Sequence, residues 1–416
     1  MTKTERFLLY SLPLISITVE IARSFIDTET KIMAARNYFI FLVILALNIK
    51  YFMTSIRFNV YLVLLMTYFA VLLIVGDADL DAWNYFIVAF SAKMILPLGY
   101  TLTSTYGHIE SMNRKLLITN IFFAVSIILF TIFNIGTNPY GGTTGLKVGQ
   151  FTFANLYIGP FLLIILPIVY SDQKQKYARY ATFVVGIATL LILILALRRT
   201  ALVITMFGVA SYAFFHRNQI SKIFIRAVAV VFVLLAAFPL YQETLMKQIA
   251  VRSDIFNDRS VTENLQKESR LAEAIAVVDE RIKSPDLNLL LFGRHLFHSA
   301  GNYADGRFGG RPLHLDSSLV LHGAGIIGLG LLILFYWRLM QQYFRLHVTL
   351  PHNSKFFHST LVAMLMAHIF LLITGGMTIM TFNLISFLYI GAILGLFRAQ
   401  RETNFKSRRA NGLEIK

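Results

Sequence analysis

The sequence predicts an all-α, polytopic integral membrane protein with about twelve transmembrane helices and one large external loop subdomain. Three observations carry that prediction. Of its 416 residues, 56% are hydrophobic, and they come in repeated blocks of roughly twenty, the length a helix needs to cross about 30 Å of hydrocarbon. Lys and Arg gather in alternate connections between these blocks. The intervening connections are acidic or neutral, so the orientation is consistent along the chain.

Taken in order, the blocks fall at 7–26, 38–53, 58–76, 83–101, 116–135, 152–170, 181–197, 200–215, 222–241, 317–337, 358–376 and 378–397. The second is short for a span. The first contains Glu20 and Arg23 and lacks a small-residue cleavage site, so it reads as a retained helix rather than a signal peptide. With the amino terminus inside, the cytoplasmic segments are "MTKTER", "NIKYFMTSIR", "HIESMNRK", "SDQKQKYARY", "HRNQISK", "RLMQQYFRLHVTLPHNSK" and the tail from residue 398, all of them basic. Outside lie the acidic "GDADLDAW" and the neutral "NIGTNPYGGTTGLKVGQ". The organisation is therefore nine helices over 1–241, a large external loop over 242–316, three helices over 317–397 and a basic cytoplasmic tail over 398–416.

Composition narrows the chemistry. The chain has no cysteine, which removes disulfides, thiolate nucleophiles and cysteine-ligated metals. A net charge of +16 could suggest nucleic acid, but the basic segments are separate cytoplasmic loops and act as topology signals; no nucleic-acid partner is expected. No HExxH, Walker or GxSxG pattern occurs, and no convincing carboxylate pair suggests glycoside hydrolysis. Asp77, Asp79 and Asp81 share one external loop and read first as a solvated connection.

Two places break the topology pattern. Arg198 and Arg199 lie back to back on the external side between two apolar runs, and the long external loop carries Arg252, Arg259, Arg270, Arg281, Arg294, Arg307 and Arg311. External arginines are not topology signals. A polyanion at the outer membrane surface would account for them, because guanidinium is permanently charged and bidentate toward phosphate; the competing reading of the pair is snorkelling to headgroups. Within the loop, Leu271, Ile275, Val278 and Ile282 recur at helical spacing after Thr262 as N-cap, with charges on the other face, and predict an amphipathic helix over the membrane domain. His314 stands where the loop re-enters the membrane, with Asp316 beside it and His322 two turns on. An imidazole can take a proton from a hydroxyl near neutral pH. Lys93, well inside a span and followed by Pro97, either contacts a substrate or pairs within the bundle.

"RRTAL" after an apolar span, "ESRLAEAIAVVDERIKSPDLNLLLFGR" in the large loop and "HLDSSLVLHGAGIIG" opening the next span together resemble the landmarks of the O-antigen ligase and O-antigen polymerase superfamily. Their order and spacing agree with it over roughly residues 130 to 340. Arg199 matches the arginine of the first landmark, with Arg198 as its neighbour. Arg270 matches the arginine opening the loop helix and Gly293 the glycine near its end, while His314, Leu319, Gly325 and Gly328 fill the third. Leu315 stands where members usually have Asn. "GQFTFANLYIGPFLL" is similar to a span with a Gly and an Asn, here Gly149 and Asn155.

The resemblance implies a membrane-embedded, metal-independent, inverting glycosyltransferase of the GT-C type. Its partners would be an undecaprenyl-pyrophosphate-linked oligosaccharide, an acceptor glycan and the bilayer; no cofactor is implied. His314, Arg199 and Arg270 would be catalytic, and Arg198, Arg294, Arg311, Asn155, Lys93 and Asp316 would bind substrate. The setting would be a bacterial inner membrane with the site on the periplasmic face. Polymerisation of repeat units, with a separate chain-length regulator, is the first expectation; ligation to the lipid A core is the second. A lipid-linked glycan transporter is the alternative of another class, and Lys93 is the feature that favours it.

Overall fold

A computed structural model describes residues 1–23, 29–106, 109–132, 158–172, 176–196, 199–219, scattered positions over 221–246, and 269–284, 286–306, 308, 312–347, 355–377 and 379–410. Every regular element among them is helical. The principal ones are α1 (Lys3–Arg23), α2 (Glu29–Val75), α3 (Leu80–Tyr106), α4 (Ile109–Ile132), α5 (Ile158–Asp172), α6 (Lys176–Ala196), α7 (Arg199–Phe215), α8 (Ser269–Lys283), α9 (Leu287–Phe292), α10 (Asp316–His347), α11 (Lys355–Thr374) and α12 (Met380–Ala410). Five segments among the described residues are long and apolar enough to cross a membrane: Ile32–Tyr51, Leu80–Ser104, Asp316–Leu346, Lys355–Thr374 and Met380–Asn404. Val60–Val75, Gly159–Tyr170 and Thr200–Phe215 are shorter apolar helices. Of the other predicted spans, 7–26, 116–135 and 181–197 overlap α1, α4 and α6, which are not among those five segments; residues 24–26, 133–135 and 197, and most of 222–241, lie outside the described residues.

α2 is helical from end to end, yet it is not one rod. Asn48 donates to the Met94 carbonyl at 2.8 Å, while Phe69 packs edge-on against Phe90 with ring centroids 5.3 Å apart. Along a straight helix residues 48 and 69 would lie about 31 Å apart, whereas 90 and 94 are about 6 Å apart on α3. The chain therefore reverses between Asn48 and Phe69. Two antiparallel arms result, corresponding to the predicted blocks 38–53 and 58–76.

The helix ends segregate by charge. At one end of the bundle Glu5 bonds Lys50 and, at 2.6 Å, Tyr51, Tyr10 meets Ser111 at 3.2 Å and Arg401 reaches the Arg345 carbonyl at 3.5 Å. At the other, Ser16 meets Thr381 at 2.6 Å, Asn37 donates to Asn84 at 2.9 Å and His298 meets Asp79 at 2.9 Å. The first end is the basic one, read from the sequence as cytoplasmic.

α3 and α12 form the centre. They run parallel and very close, because a Cβ on Gly99 would sit 2.3 Å from the Leu388 carbonyl oxygen and one on Gly391 2.1 Å from that of Leu96. Small residues at such a crossing let backbones touch, which is how helices gain packing energy where lipid supplies no hydrophobic drive. α10 bends at Gly325, whose φ of 62° and ψ of −167° leave the helical region. A Cβ there would lie 2.3 Å from the Leu291 carbonyl oxygen, so α9 is seated in the bend.

The described part of the long loop has a small apolar cluster apart from the main core. This cluster, of Val277, Tyr303 and Leu313, packs on Leu319 and Leu321 of α10.

Candidate active site

His314 belongs to the extended stretch 312–315 that leads into α10, and it is half-buried. Its Nδ1 lies 3.4 Å from Oε2 of Glu273 on α8, a carboxylate with no exposed surface. A carboxylate beside one imidazole nitrogen favours the tautomer that leaves the other nitrogen free to accept a proton. This pairing was not predicted. The sequence signal was present, since Glu273 is three residues after Arg270 and shares its helix face, but that face reads as solvated when α8 is taken alone.

The loop between α11 and α12 closes the other side. Asp316 at the start of α10 accepts from the backbone N–H of Gly376 at 2.9 Å and of Met377 at 2.7 Å. Asn383 donates to the carbonyls of the same two residues. Gly375 has φ +85°, and a Cβ there would stand 1.9 Å from the His314 carbonyl oxygen, so only glycine fits against the histidine's backbone. Arg270 Nη1 donates to the Thr374 carbonyl at 3.2 Å. His314, Arg270 and Asp316 thus meet around one turn of chain.

Arg199 opens α7, which runs antiparallel to α11: Ser211 donates to the Ser359 carbonyl at 2.7 Å and the Phe207 and Phe370 rings lie 5.6 Å apart. Counting back along both helices puts the start of α7 within about a turn of the level of Thr374. The first landmark therefore ends at the height of the other two. Arg198, Arg311, Asn155 and Gly149 lie outside the described residues.

Lys93 and Asp316 sit elsewhere than a substrate-binding role would suggest. They are 1% and 6% exposed. Lys93 Nζ donates to the Ala89 carbonyl at 2.9 Å, lies over the Phe90 and Phe387 rings, and has Asp316 as its electrostatic partner. Asp316 acts on the ammonium electrostatically without touching it, so two buried charged side chains lie near one another in the bundle interior beneath the histidine. His368, whose Nε2 meets Ser386 Oγ at 2.8 Å, shares this interior.

Arg294 stands apart from the histidine. It lines a cavity of about 560 Å³ with Asp77, Asp79, His295, His298 and Asn302, over an apolar floor that includes Leu72 and Phe292. Burial, with Arg294 alongside, holds the His295 imidazole below its usual value. The cavity adjoins the histidine's stretch, because Ser299 accepts from the Leu313 N–H at 2.9 Å. Asp79 caps α3 by accepting from the Ala82 N–H at 2.8 Å. That bond, assisted by His298, holds its carboxyl below the ordinary carboxylate value. A depressed carboxylate contributes stability above its unfolded value and loses it as pH falls through the folded one. Asp79→Ala is expected to cost about 1 kcal/mol of stability near neutral pH, and thermal melts should show its deficit against wild type shrinking as the medium is acidified.

Arg281 and His322 form a further unpredicted contact. Arg281 is 1% exposed; its Nη2 lies 2.7 Å from His322 Nδ1 and 2.9 Å from the His322 carbonyl oxygen. Guanidinium only donates, so His322 Nδ1 accepts and the imidazole is neutral with its proton on Nε2. The contact fastens α8 to α10 two turns beyond the Glu273–His314 pair.

Among the described residues, no three His, Asp or Glu side chains gather as a metal site. The chain matches no protein-family model, and no curated protein matches it significantly.

Proposed function

We propose that the chain is an inverting glycosyltransferase that moves an oligosaccharide from undecaprenyl pyrophosphate to an acceptor sugar hydroxyl, in a bacterial inner membrane and on its periplasmic face. The observation that carries the reading is the half-buried His314 backed by Glu273, beside Arg270 and at the level where α7 begins with Arg199. The acceptor O–H forms the new bond to the anomeric carbon and gives its proton to His314 Nε2. The bond from that carbon to the pyrophosphate oxygen breaks, and the pyrophosphate leaves with the electron pair. Arg199, Arg270 and Arg198 stabilise the charge that builds on it, and no metal takes part in this scheme. Arg294, Arg311 and Asn155 extend the binding surface, and the cavity beside Arg294 gives sugar hydroxyls both acceptors and donors.

The first expectation for the acceptor is another lipid-linked repeat unit, as in a polysaccharide polymerase working with a chain-length regulator; a ligase would use the lipid A core. The buried Lys93, Asp316 and His368 favour a second reading, in which the protein moves a lipid-linked glycan across the membrane without breaking a bond.

The test is to delete the gene in its host and restore it as wild type, Arg199→Ala, Arg270→Ala or His314→Ala at matched expression. Surface glycan is then compared with the lipid-linked pool. The enzyme reading expects the three variants to lose transfer while lipid-linked oligosaccharide accumulates outside the inner membrane. Single repeat units on the core identify a polymerase, and bare core with long lipid-linked chains a ligase. Accumulation facing the cytoplasm contradicts the enzyme and supports the transporter.

A further inference from the structure

α8 is amphipathic in the opposite sense to a helix resting on a protein. Leu271, Ile275, Val278 and Ile282 fall on one face of the helix, and all four are exposed, at 49%, 54%, 39% and 71%. The face turned to the bundle holds Glu273, Val277 and Arg281, each nearly or fully buried. A helix in water would not orient this way, because apolar side chains would face solvent while two charges were desolvated. In a bilayer the arrangement inverts: charges must find protein partners, and apolar side chains are free to meet lipid.

The contacts give its position. Glu273 meets His314 and Arg281 meets His322, eight residues on in both segments, so α8 lies alongside the entry to α10 for about 12 Å. Tyr68 donates to the Ala324 carbonyl at 2.9 Å, and the apolar helix Val60–Val75 continues outward for seven residues, about 10 Å, beyond Tyr68. His322 and Arg281 therefore lie near the outer end of that helix, where Gly323 meets Leu72, Val75 and Gly76 around the cavity. The exposed face is also continuous with the bundle's apolar exterior. Arg270 is fixed to Thr374, whose neighbour Ile373 is 61% exposed, and Leu287 on α9 extends the strip at 65%.

We infer that α8 is a membrane-inserted helix whose Leu271–Ile282 face docks in the hydrocarbon of the outer leaflet, while its polar face carries Glu273 to His314 and Arg281 to His322. The partner is the acyl region of the bilayer. The inference does not depend on the proposed reaction.

The native chain has no cysteine, so single reporters can be placed directly. Ile275→Cys, Val278→Cys, Ile282→Cys and, as an aqueous control, Asp286→Cys would be nitroxide-labelled in the full chain and reconstituted in phosphatidylethanolamine and phosphatidylglycerol vesicles. Collision rates with dissolved oxygen and with a water-soluble nickel chelate would be measured. The expected result is a several-fold excess of oxygen over nickel collisions at 275, 278 and 282, and the reverse at 286. Nickel accessibility at all four positions overturns the inference in favour of an aqueous helix. Protection from both reagents overturns it in favour of a protein cover, which spin–spin broadening in the singly labelled protein would identify as a second copy.

Discussion

His314→Ala is expected to lower glycan transfer by about 10²- to 10⁴-fold, the span associated with loss of a general base, while the protein still inserts and folds. The side chain is half-buried and packs at the rim of the bundle, and its backbone rather than its ring abuts Gly375. Glu273→Gln removes the neighbouring charge but keeps the shape, so it should cost less activity than loss of the imidazole. Single-turnover transfer by purified protein, with melting followed on the same samples, separates the two effects. A His314→Ala protein of wild-type melting and wild-type rate would remove the histidine from the mechanism.

Lys93→Met is expected to shift the melting temperature of the fold, because it removes one of two buried charges, Lys93 and Asp316, that act on one another without direct contact. Asp316 would keep the N–H groups of Gly376 and Met377 but lose the cation beneath it. Asp316→Asn leaves the opposite defect, a buried ammonium with only the Ala89 carbonyl. The double variant Lys93→Met/Asp316→Asn removes both charges, and its stability is expected to depart from the sum of the two single changes by the coupling between them. Melting of the four proteins in one detergent completes the cycle. Strictly additive losses would show that the two charges do not act on one another.

The helical class and the apolar segments long enough to cross a membrane were legible in the sequence. Apolar block length and loop charge report directly on transfer into hydrocarbon, which acts residue by residue. Two features were not. Glu273 and Arg281 lie on the charged face of α8, and periodicity identifies such a face without saying whether water or protein covers it. In this fold protein covers it and the apolar stripe is exposed. Likewise, Lys93 and Asp316 are 223 residues apart in number, and nothing local marks them as neighbours; only the packing of α3, α10 and the loop before α12 brings their charges within electrostatic reach. The reversal inside α2 was visible as the basic "NIKYFMTSIR", although helical propensity runs through it unbroken.

The most direct test of the account is made with purified protein, lipid-linked oligosaccharide and acceptor in detergent with a chelator present. The account predicts that wild type releases one undecaprenyl pyrophosphate for each glycan transferred, with inversion at the anomeric carbon, and that His314→Ala releases almost none. If the lipid-linked substrate is bound yet recovered intact, while the same protein in vesicles carries it across the bilayer, the central claim of glycosyl transfer is contradicted.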